Sequence, residues 1–267
     1  MTIFQALVLG VLQGLTEFLP VSSSAHLSLA PWLFGWEDPG LAFDVALHVG
    51  TLVAVLWFFR DAWYGLARSS LQILRARRIE TPEQRRVLFL ILATIPGAIA
   101  GLLIADAAET TLRDPIITAI ALIVMGVLLW VVDRMVPATR ELDTMRWADA
   151  LLIGLAQVCA LVPGVSRSGS TITGGRLLRF DRQSAAVFSF LMSMPITAAA
   201  ALHEVPKAIA AGGFGPPLVA GVLASAISGW LAISVLLRYL GRHDFAIFAI
   251  YRFVLGAIVL AVIAYRG

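Results

Sequence analysis

Charged side chains are scarce in this chain. Only 14% of its 267 residues are charged and 59% are hydrophobic, whereas about 25% of residues are charged in a soluble domain. So little polar surface cannot solvate a globule of this size, which excludes a soluble protein. The composition favours a single integral membrane domain over residues 1–267. We expect membrane lipids, and no nucleic acid, as its partners.

Cysteine and lysine are nearly absent. The single cysteine, Cys159, excludes an internal disulfide, and we interpret it as a small apolar filler. The single lysine is Lys207, so arginine supplies almost all of the positive charge. The N-terminus has neither a basic region nor a small-residue cleavage site, so we expect no cleavable signal peptide.

Six apolar stretches are long enough to cross a bilayer, which takes about 20 residues. They are residues 41–59, 87–106, 114–135, 183–203, 215–239 and 245–265. Two other apolar regions, 2–34 and 149–179, are interrupted at Pro20 and Pro163. Proline blocks the continuation of a helix, and irregular backbone survives at membrane depth only inside protein or beside water. We therefore expect an all-α polytopic membrane protein with six transmembrane helices and two re-entrant helical hairpins.

The placement of arginine predicts the orientation. Seven arginines lie between residues 60 and 86, and the positive-inside rule makes that segment cytoplasmic. The same segment resembles an amphipathic helix that lies at the interface. The loops at 107–113 and 204–214 then lie outside, with only Arg113 and Lys207 between them. Both termini are predicted to be extracytoplasmic.

The two interrupted regions resemble each other. LVLGVLQ at 7–13 matches LLIGLAQ at 151–157, and FLPVSSS at 18–24 matches LVPGVSRS at 161–168 with one residue of slippage. A chance match between two stretches rich in leucine, valine and alanine is the alternative. The shared order of Gly, Gln, Pro, Ser and Ser argues against chance.

The match predicts an inverted-topology repeat, with halves over roughly 1–135 and 149–267. Three spans separate the two hairpins, so the second half starts from the opposite side of the membrane. Such repeats place paired broken helices, and the binding site between them, near the bilayer midplane.

A carboxylate lies at the first interruption. Glu17 follows Gln13 by four residues, so both side chains share one helix face. An ionised carboxylate deep in a bilayer costs at least ~2.5 kcal/mol, which a cation, an arginine or water has to offset. Carboxylate and amide oxygens also suit Mg²⁺ or Ca²⁺. A shallow Glu17 that reaches solvent is the alternative.

Three serines, Ser22, Ser23 and Ser24, begin the helix that follows. One serine is enough to cap a helix, so three exceed that need. His26 lies three residues after Ser23 and can share its face. A serine near a histidine and a carboxylate is a candidate activated nucleophile. A structural histidine bonded to backbone is an equally good interpretation.

The second interruption, which reads PGVSRSGSTITGG, has the composition of a phosphate site. Ser166, Ser168 and Thr171 place hydroxyls at the start of a helix, whose free N–H groups and positive dipole end suit an anion. Arg167 adds a forked cation that matches phosphate oxygens two at a time. A structural ion pair between Arg167 and Glu17 is the alternative. Together the two interruptions predict a site for a lipid phosphate or diphosphate head group and a divalent cation.

These segments resemble a known family. QGLTEFLPVSSSAHL at 13–27, PGVSRSGSTITGG at 163–175, VFSFLMSMP at 187–195 and FAIYRF at 248–253 are similar to segments of the undecaprenyl-diphosphate phosphatases of the bacitracin-resistance type. The resemblance covers essentially the whole chain. It implies hydrolysis of a C55 polyprenyl diphosphate to the monophosphate carrier of peptidoglycan synthesis, in a bacterial inner (plasma) membrane, with Mg²⁺ or Ca²⁺. The resemblance leaves open whether the protein forms a homodimer.

The resemblance also implies roles for single residues. The family's first motif maps onto Gln13 and Glu17, the expected metal ligands, and its serine and histidine map onto Ser23 and His26. Family accounts differ on which of the last two is the nucleophile. The family's phosphate-binding arginine maps onto Arg167. The expected catalytic residues are Glu17, Ser23, His26 and Arg167. The expected phosphate ligands are Ser22, Ser24, Ser166, Arg167, Ser168 and Thr171.

A transporter or lipid flippase is the main rival function, because inverted repeats with broken helices are typical of transporters. A carrier has no need of a cluster of Glu, Ser and His. A structural or scaffolding membrane protein is the third candidate function, and it leaves a buried carboxylate and guanidinium unexplained.

Other polar residues have simpler interpretations. We expect Asp44 and His48 to be solvated at the outer end of a span, and a place in the lining of the site is the alternative. We expect Arg252 to snorkel to the inner face.

Overall fold

The computed structural model describes residues 1–109, 114–210 and 215–266, with the backbone alone for 104–109, 204 and 207–210. Within these ranges the regular structure is helical, apart from one isolated bridge between Arg140 and Phe180. The α-helices are α1 Ile3–Phe18, α2 Ser23–Phe34, α3 Leu41–Phe58, α4 Arg60–Ala76, α5 Pro82–Glu109, α6 Pro115–Met135, α7 Trp147–Val158, α8 Arg167–Leu177, α9 Arg182–Ala210, α10 Pro216–Leu240 and α11 Ala246–Arg266.

Six of these helices are long and apolar enough to cross a membrane, namely α3, α5, α6, α9, α10 and α11. They coincide with the six predicted stretches to within a few residues, which confirms an all-α polytopic protein. Large apolar side chains such as Leu102 and Ile227 face outward, as lipid contact requires. Arg113 and the Lys207 side chain, on which the predicted outer loops depend, lie outside the described residues.

Helix α4 occupies most of the segment predicted to be amphipathic. It packs against α5, and Leu66 and Ser69 are its buried residues. Tyr64 and Leu74 are exposed beside the charged residues of the same helix. An apolar stripe on a charged helix is the pattern of an interface-lying helix, and that placement stays a prediction.

Both interrupted regions break where the prolines predict. α1 ends at Phe18, four residues pass, and α2 begins at Ser23. α7 ends at Val158, a single 3-10 turn follows at Cys159–Leu161, and α8 begins at Arg167. Each break therefore separates two short helices.

Glycine brings the short helices into close contact with spans from the other half of the chain. α1 lies along α10, and α7 lies along α5. A Cβ on Gly154 would lie 2.5 Å from the carbonyl oxygen of Ala93, and a Cβ on Gly10 would clash with the carbonyl of Gly221. Because only glycine permits this approach, the matched positions Gly10 and Gly154 hold equivalent packing sites.

The same contacts give the direction of α1. Gly14 lies one turn after Gly10, and its nearest neighbours are Ser225 and Ser228, which lie one to two turns after Gly221. α1 therefore runs parallel to α10.

The direction of α7 follows in the same way. Gly154 meets Ala93, and Gln157, one turn later, meets Gly97, so α7 runs parallel to α5. When six spans alternate, α5 and α10 cross in opposite directions, and the two short helices then start from opposite faces. An inverted-topology repeat requires this packing, and the repeat over 1–135 and 149–267 stays a prediction.

A buried ion network joins α6, α8, α9 and the start of α11. The carboxylate of Asp133 accepts from Arg176 Nε at 2.8 Å, from Arg182 Nε at 2.9 Å and from the Phe245 backbone N–H at 3.1 Å. Arg176 is buried and also donates to three backbone carbonyls. The network fixes the C-terminal end of α8, at Arg176, whereas Arg167 lies in the first turn at the opposite end of the helix.

We expect Asp133→Asn to lower the free energy of unfolding by about 3–5 kcal/mol, because it leaves the buried guanidinium of Arg176 without a counter-charge. Titration with SDS, followed by circular dichroism, measures the loss. The control is Asp143→Asn, which breaks the exposed Arg86–Asp143 pair and should cost no more than about 1 kcal/mol. Equal losses for the two variants would contradict this assignment.

Candidate active site

The first interruption presents Glu17 at the end of α1. Gln13 and Glu17 are both buried, and Gln13 Nε2 donates to Glu17 Oε2 at 3.0 Å. The two side chains share one face because they lie one helical turn apart. Since glycines seat α1 on α10, the depth of Glu17 is set by that packing.

Ser22 and Ser166 cap the helices that follow the two interruptions. Their φ angles are +75° and +74°, a backbone conformation that side-chain-bearing residues seldom adopt. Each Oγ accepts from a backbone N–H in the first turn of its helix. The Oγ atoms of Ser22 and Ser24 lie 3.2 Å apart, and those of Ser166 and Ser168 lie 3.1 Å apart. The matched sequences therefore have matched local structures.

Glu17 connects the two interruptions. Its Oε2 accepts from Ser23 Oγ at 2.5 Å, and its Oε1 forms an ion pair with Arg167 Nη2. Arg167 Nη1 donates to the Ser193 carbonyl at 3.0 Å and to Thr197 Oγ1 at 2.9 Å, so α9 holds the other side of the guanidinium. The structure thus brings together the acidic and basic tips, as the sequence predicts.

A cavity of about 240 Å³ lies at this junction. It is lined by Glu17, Ser23, Ser24, Val45, His48, Ala160, Ser166, Arg167, Ile196, Thr197 and Ala200. Its polar lining carries the carboxylate, the guanidinium and the hydroxyls. Its apolar lining comes chiefly from α3 and α9, through Val45, Ile196 and Ala200. A lining of both kinds suits an amphiphile with an anionic head.

A larger cleft of about 710 Å³ lies between the 138–143 segment and the start of α9. None of the predicted site residues lines it. Size alone does not locate the chemistry in this molecule, because the convergent polar groups lie at the smaller cavity.

His48 lines the cavity, which is the alternative interpretation of this residue from the sequence. Its Nε2 lies 3.5 Å from Glu17 Oε2, and its Nδ1 bonds to the Asp44 carbonyl at 2.7 Å. The expectation that Asp44 is solvated is wrong, because Asp44 is buried. His48 is half-buried and faces Glu17 on α1. The spacing of four residues between Asp44 and His48 on an apolar span repeats the spacing of Gln13 and Glu17, and that signal could have identified the inward face.

His26 lies apart from this cavity. Its Nδ1 bonds to the Ser22 carbonyl at 2.7 Å, its Nε2 bonds to the Tyr251 hydroxyl at 2.6 Å, and the two rings stack. The predicted meeting of His26 with Ser23 is not found, because the Ser23 hydroxyl turns back toward Glu17. The alternative interpretation, a histidine bonded to backbone, describes what the structure shows.

The predicted phosphate ligands divide into two groups. Ser24, Ser166 and Arg167 line the cavity. The others do not line it, and their role as phosphate ligands stays a prediction. Ser22 is fully buried, Ser168 Oγ donates to the Leu19 carbonyl, and Thr171 Oγ1 meets the Arg167 carbonyl and Ser189 Oγ.

Arg252 does not snorkel to the inner face as expected. Its side chain is fully buried in the middle of the molecule, in contact with both interruptions. The carbonyls that surround it offset the cost of burial, so no route to water is needed.

The donors around Glu17 fit a hard cation that shares its ligands with a substrate. Among the described residues, no group of three His, Cys, Asp or Glu side chains forms a metal cage. Gln13 Oε1, however, is buried without a hydrogen-bond partner in the same ranges. One carboxylate with amide and hydroxyl oxygens matches Mg²⁺ or Ca²⁺ when phosphate oxygens complete the ligand set.

Comparison with known proteins places the chain in a family. A family model described as bacitracin resistance protein BacA matches residues 6–258. The chain belongs to this family. Both interruptions and all predicted site residues lie within the matched range. The family match therefore includes every residue that lines the cavity.

Relatives match along their full length. The undecaprenyl-diphosphatase of Gemmatimonas aurantiaca is 60% identical, and the alignment covers 100% of both chains. That of Pelotomaculum thermopropionicum is 50% identical over 100% of this chain and 98% of its own. The undecaprenyl-diphosphatase 2 of Stutzerimonas stutzeri is 48% identical over 97% of this chain and 98% of its own.

In this BacA family member, we expect Ser22→Ala to lower the free energy of unfolding by about 1 kcal/mol, since the helix loses its cap and alanine keeps the strained φ. Ser22→Gly should lose only a few tenths of a kcal/mol, because glycine adopts that φ without strain. Unfolding in SDS compares the pair. A glycine variant less stable than the alanine variant would refute the cap as described.

Proposed function

We propose that this chain hydrolyses undecaprenyl diphosphate to undecaprenyl phosphate and inorganic phosphate, and so recycles the lipid carrier of peptidoglycan synthesis and gives resistance to bacitracin. The supporting observation is the contact of Ser23 and Arg167 with one carboxylate, Glu17, beside a cavity that is lined by both polar and apolar side chains. The relatives named undecaprenyl-diphosphatase support the choice of substrate.

The substrate orientation in this proposal follows from the polarity of the cavity. The diphosphate lies beside Arg167 and the first turns of α2 and α8, where free N–H groups and helix dipoles favour an anion. The prenyl chain leaves past Val45 on α3 and Ile196 on α9, where apolar side chains line the wall.

Ser23 is the proposed nucleophile. Its Oγ attacks the terminal phosphorus, the bond to the bridging oxygen breaks, and the lipid monophosphate leaves with that oxygen. The hydroxyl proton passes to Glu17 Oε2, which already accepts it as a hydrogen bond at 2.5 Å. Water then attacks the phosphorus of the phosphoserine, and the bond from phosphorus to Ser23 Oγ breaks. Glu17 returns its proton to that oxygen, and inorganic phosphate leaves with the oxygen and the protons of the water. Glu17 is therefore the base of the first step and the acid of the second.

Arg167 supplies positive charge to the phosphates. A bound diphosphate competes with Glu17 for the guanidinium, and this competition releases the carboxylate for its role as a base. Ser193 and Thr197 hold Arg167 in place meanwhile. Phosphoryl transfer depends chiefly on positioning and charge neutralisation, and both are available here.

A divalent cation, Mg²⁺ or Ca²⁺, is part of the proposal. Glu17 and Gln13 would hold it together with the substrate phosphates. When bound, it supplies further neutralisation of the diphosphate charge.

We further propose that the two pairs of short helices are re-entrant hairpins whose tips meet near the midplane of the bacterial inner membrane, with both termini outside. From Ile3 to Glu17, α1 rises about 21 Å, about half of a bilayer that is about 40–45 Å thick with its head groups. His48 lies in the first half of α3, so the cavity opens toward the outer leaflet.

We expect purified protein in detergent to release phosphate from undecaprenyl diphosphate and to lose this activity with EDTA. Ser23→Ala should lower kcat about 10³-fold or more, because the attacking oxygen is lost. His26→Phe should lower kcat by no more than about tenfold, since His26 touches neither Glu17 nor the cavity. Phosphate release quantified per folded protein measures both.

Other outcomes select other mechanisms. Near-normal turnover by Ser23→Ala would remove the serine nucleophile and favour direct attack by water. A larger loss with His26→Phe than with Ser23→Ala would favour histidine. Movement of the lipid across vesicles without phosphate release would favour the flippase.

The tail position generates a separate prediction. Ile196→Trp enlarges an apolar side chain of the cavity lining and should raise KM for undecaprenyl diphosphate about tenfold. Inorganic diphosphate, which lacks a tail, should inhibit both proteins with the same constant. Ile99→Trp, at an exposed position on α5, is the matched control and should leave KM unchanged. A parallel rise in KM and in the inhibition constant would place the tail elsewhere.

A further inference from the structure

Arg252 on α11 donates hydrogen bonds to three separate segments. Its Nε donates to the Leu122 carbonyl of α6 at 3.0 Å, and its Nη1 donates to the Pro20 carbonyl of the first interruption at 3.0 Å. Its Nη2 donates to the carbonyls of Gly164 and Val165 in the second interruption, at 2.7 and 2.9 Å. One guanidinium therefore links both interruptions to a spanning helix.

The interruptions create the carbonyls that Arg252 binds. Pro20 and Gly164 lie outside helices, and Gly164 has φ +94°, so their carbonyls have no partner from a continuing helix. A buried carbonyl left unpaired costs free energy. A planar fork with five donors is the one side chain that can satisfy several such groups at fixed angles.

Arg252 also brings a positive charge close to the start of α8. A Cβ on Gly169, in the first turn of α8, would lie 3.0 Å from Arg252 Nη1. Within the ranges that the structure describes, Arg252 is fully buried and takes part in no ion pair. Carbonyl dipoles alone stabilise the charge, and the helix N-termini of the two tips add to the positive potential. An anion at the cavity is the group that this potential favours.

The residue before Arg252 contacts the first hairpin as well. The Tyr251 hydroxyl bonds to His26 Nε2, and the rings stack with centroids 5.6 Å apart. Two consecutive residues of α11 thus hold the start of α2 from two directions.

We propose that Arg252 is a positioning residue, which locks the first interruption against the second and so sets the separation of Ser23 and Glu17 from Arg167, while its buried charge favours an anionic substrate. The effect of Arg252 on catalysis rests on the proposed phosphatase function. The lock that Arg252 forms between the two interruptions does not depend on that function.

The first test separates positioning and charge by kinetics. Arg252→Lys keeps the charge but cannot bridge three segments, so kcat per folded protein should fall about a hundredfold, the order expected for a 1 Å misplacement, with KM changed less than about threefold. Arg252→Met should show the same fall in kcat and should also raise KM about tenfold, the size of a typical lost charge contact.

Arg176→Lys is the matched control, because Arg176 is equally buried but is paired with Asp133 at the far end of α8. It should lower the unfolding temperature while leaving kcat per folded protein near that of the parent. A residue that serves stability alone would give this result at position 252 too. Normal kcat in both Arg252 variants would therefore overturn the proposal.

The second test measures the tips without using activity. Spin labels on cysteines at Leu15 of α1 and Leu155 of α7, both exposed, are placed in a Cys159→Ser background. Double electron–electron resonance should give one narrow distance distribution in the parent and in Arg176→Lys, and a broad or shifted one in Arg252→Lys and Arg252→Met. An unchanged distribution in the Arg252 variants overturns the locking role even if activity falls. If the parent releases no phosphate, the proposed function fails while this measurement still decides the inference.

Discussion

The ion pair between Glu17 and Arg167 is the interaction on which the rest of the structure depends. Each charge alone would be expensive in the interior of a membrane protein, and each makes the other tolerable. The pair connects side chains 150 residues apart, one from each interruption, and bonds from Gln13, Ser23 and Thr197 complete its surroundings. A site built this way is held together by charge, and it is open to a third charged group because phosphate oxygens can share the guanidinium.

The broken helices explain how such a site can exist at the membrane depth that we propose for it. A continuous helix offers no free N–H groups in the middle of a membrane, because every backbone donor is used along the helix. Breaking two helices creates two N-termini, and Ser22 and Ser166 hold them open with backbone angles that side chains rarely adopt. The carbonyls freed by the same breaks need donors, which Arg252 supplies. The anion-binding end and the buried arginine are therefore two consequences of one interruption in each half.

The sequence could predict the elements because their signals are local. Apolar length located the six spans, and Pro20 and Pro163 located both breaks. The match between the two broken regions indicated that Glu17 and Arg167 would meet. Positions that depend on distant packing were not accessible. The spacing of His26 from Ser23 allowed a shared face, but the imidazole of His26 is hydrogen-bonded to Tyr251, which lies 225 residues away in the sequence. Arg252 resembled a snorkelling side chain because its partners at Pro20 and Gly164 lie 232 and 88 residues away. Solvation was the preferred interpretation for His48 because it lies near the outer end of a span, and the packing of α1 that makes it a cavity residue is not a local signal.

The crossed packing also bears on the choice between an enzyme and a carrier. Alternating access requires one half of a transporter to rock against the other around a fixed site. Here α1 packs on α10 and α7 packs on α5 through backbone contacts at Gly10 and Gly154, so each broken helix is seated in the opposite half. Rocking the halves would separate close backbone contacts on both sides at once, and it would pull Arg252 away from one of the two interruptions. A site that stays assembled serves phosphoryl transfer, in which fixed positions and fixed charges do most of the catalysis. The rigid crossing therefore favours the chemistry of Ser23 and Glu17 over passage of the lipid.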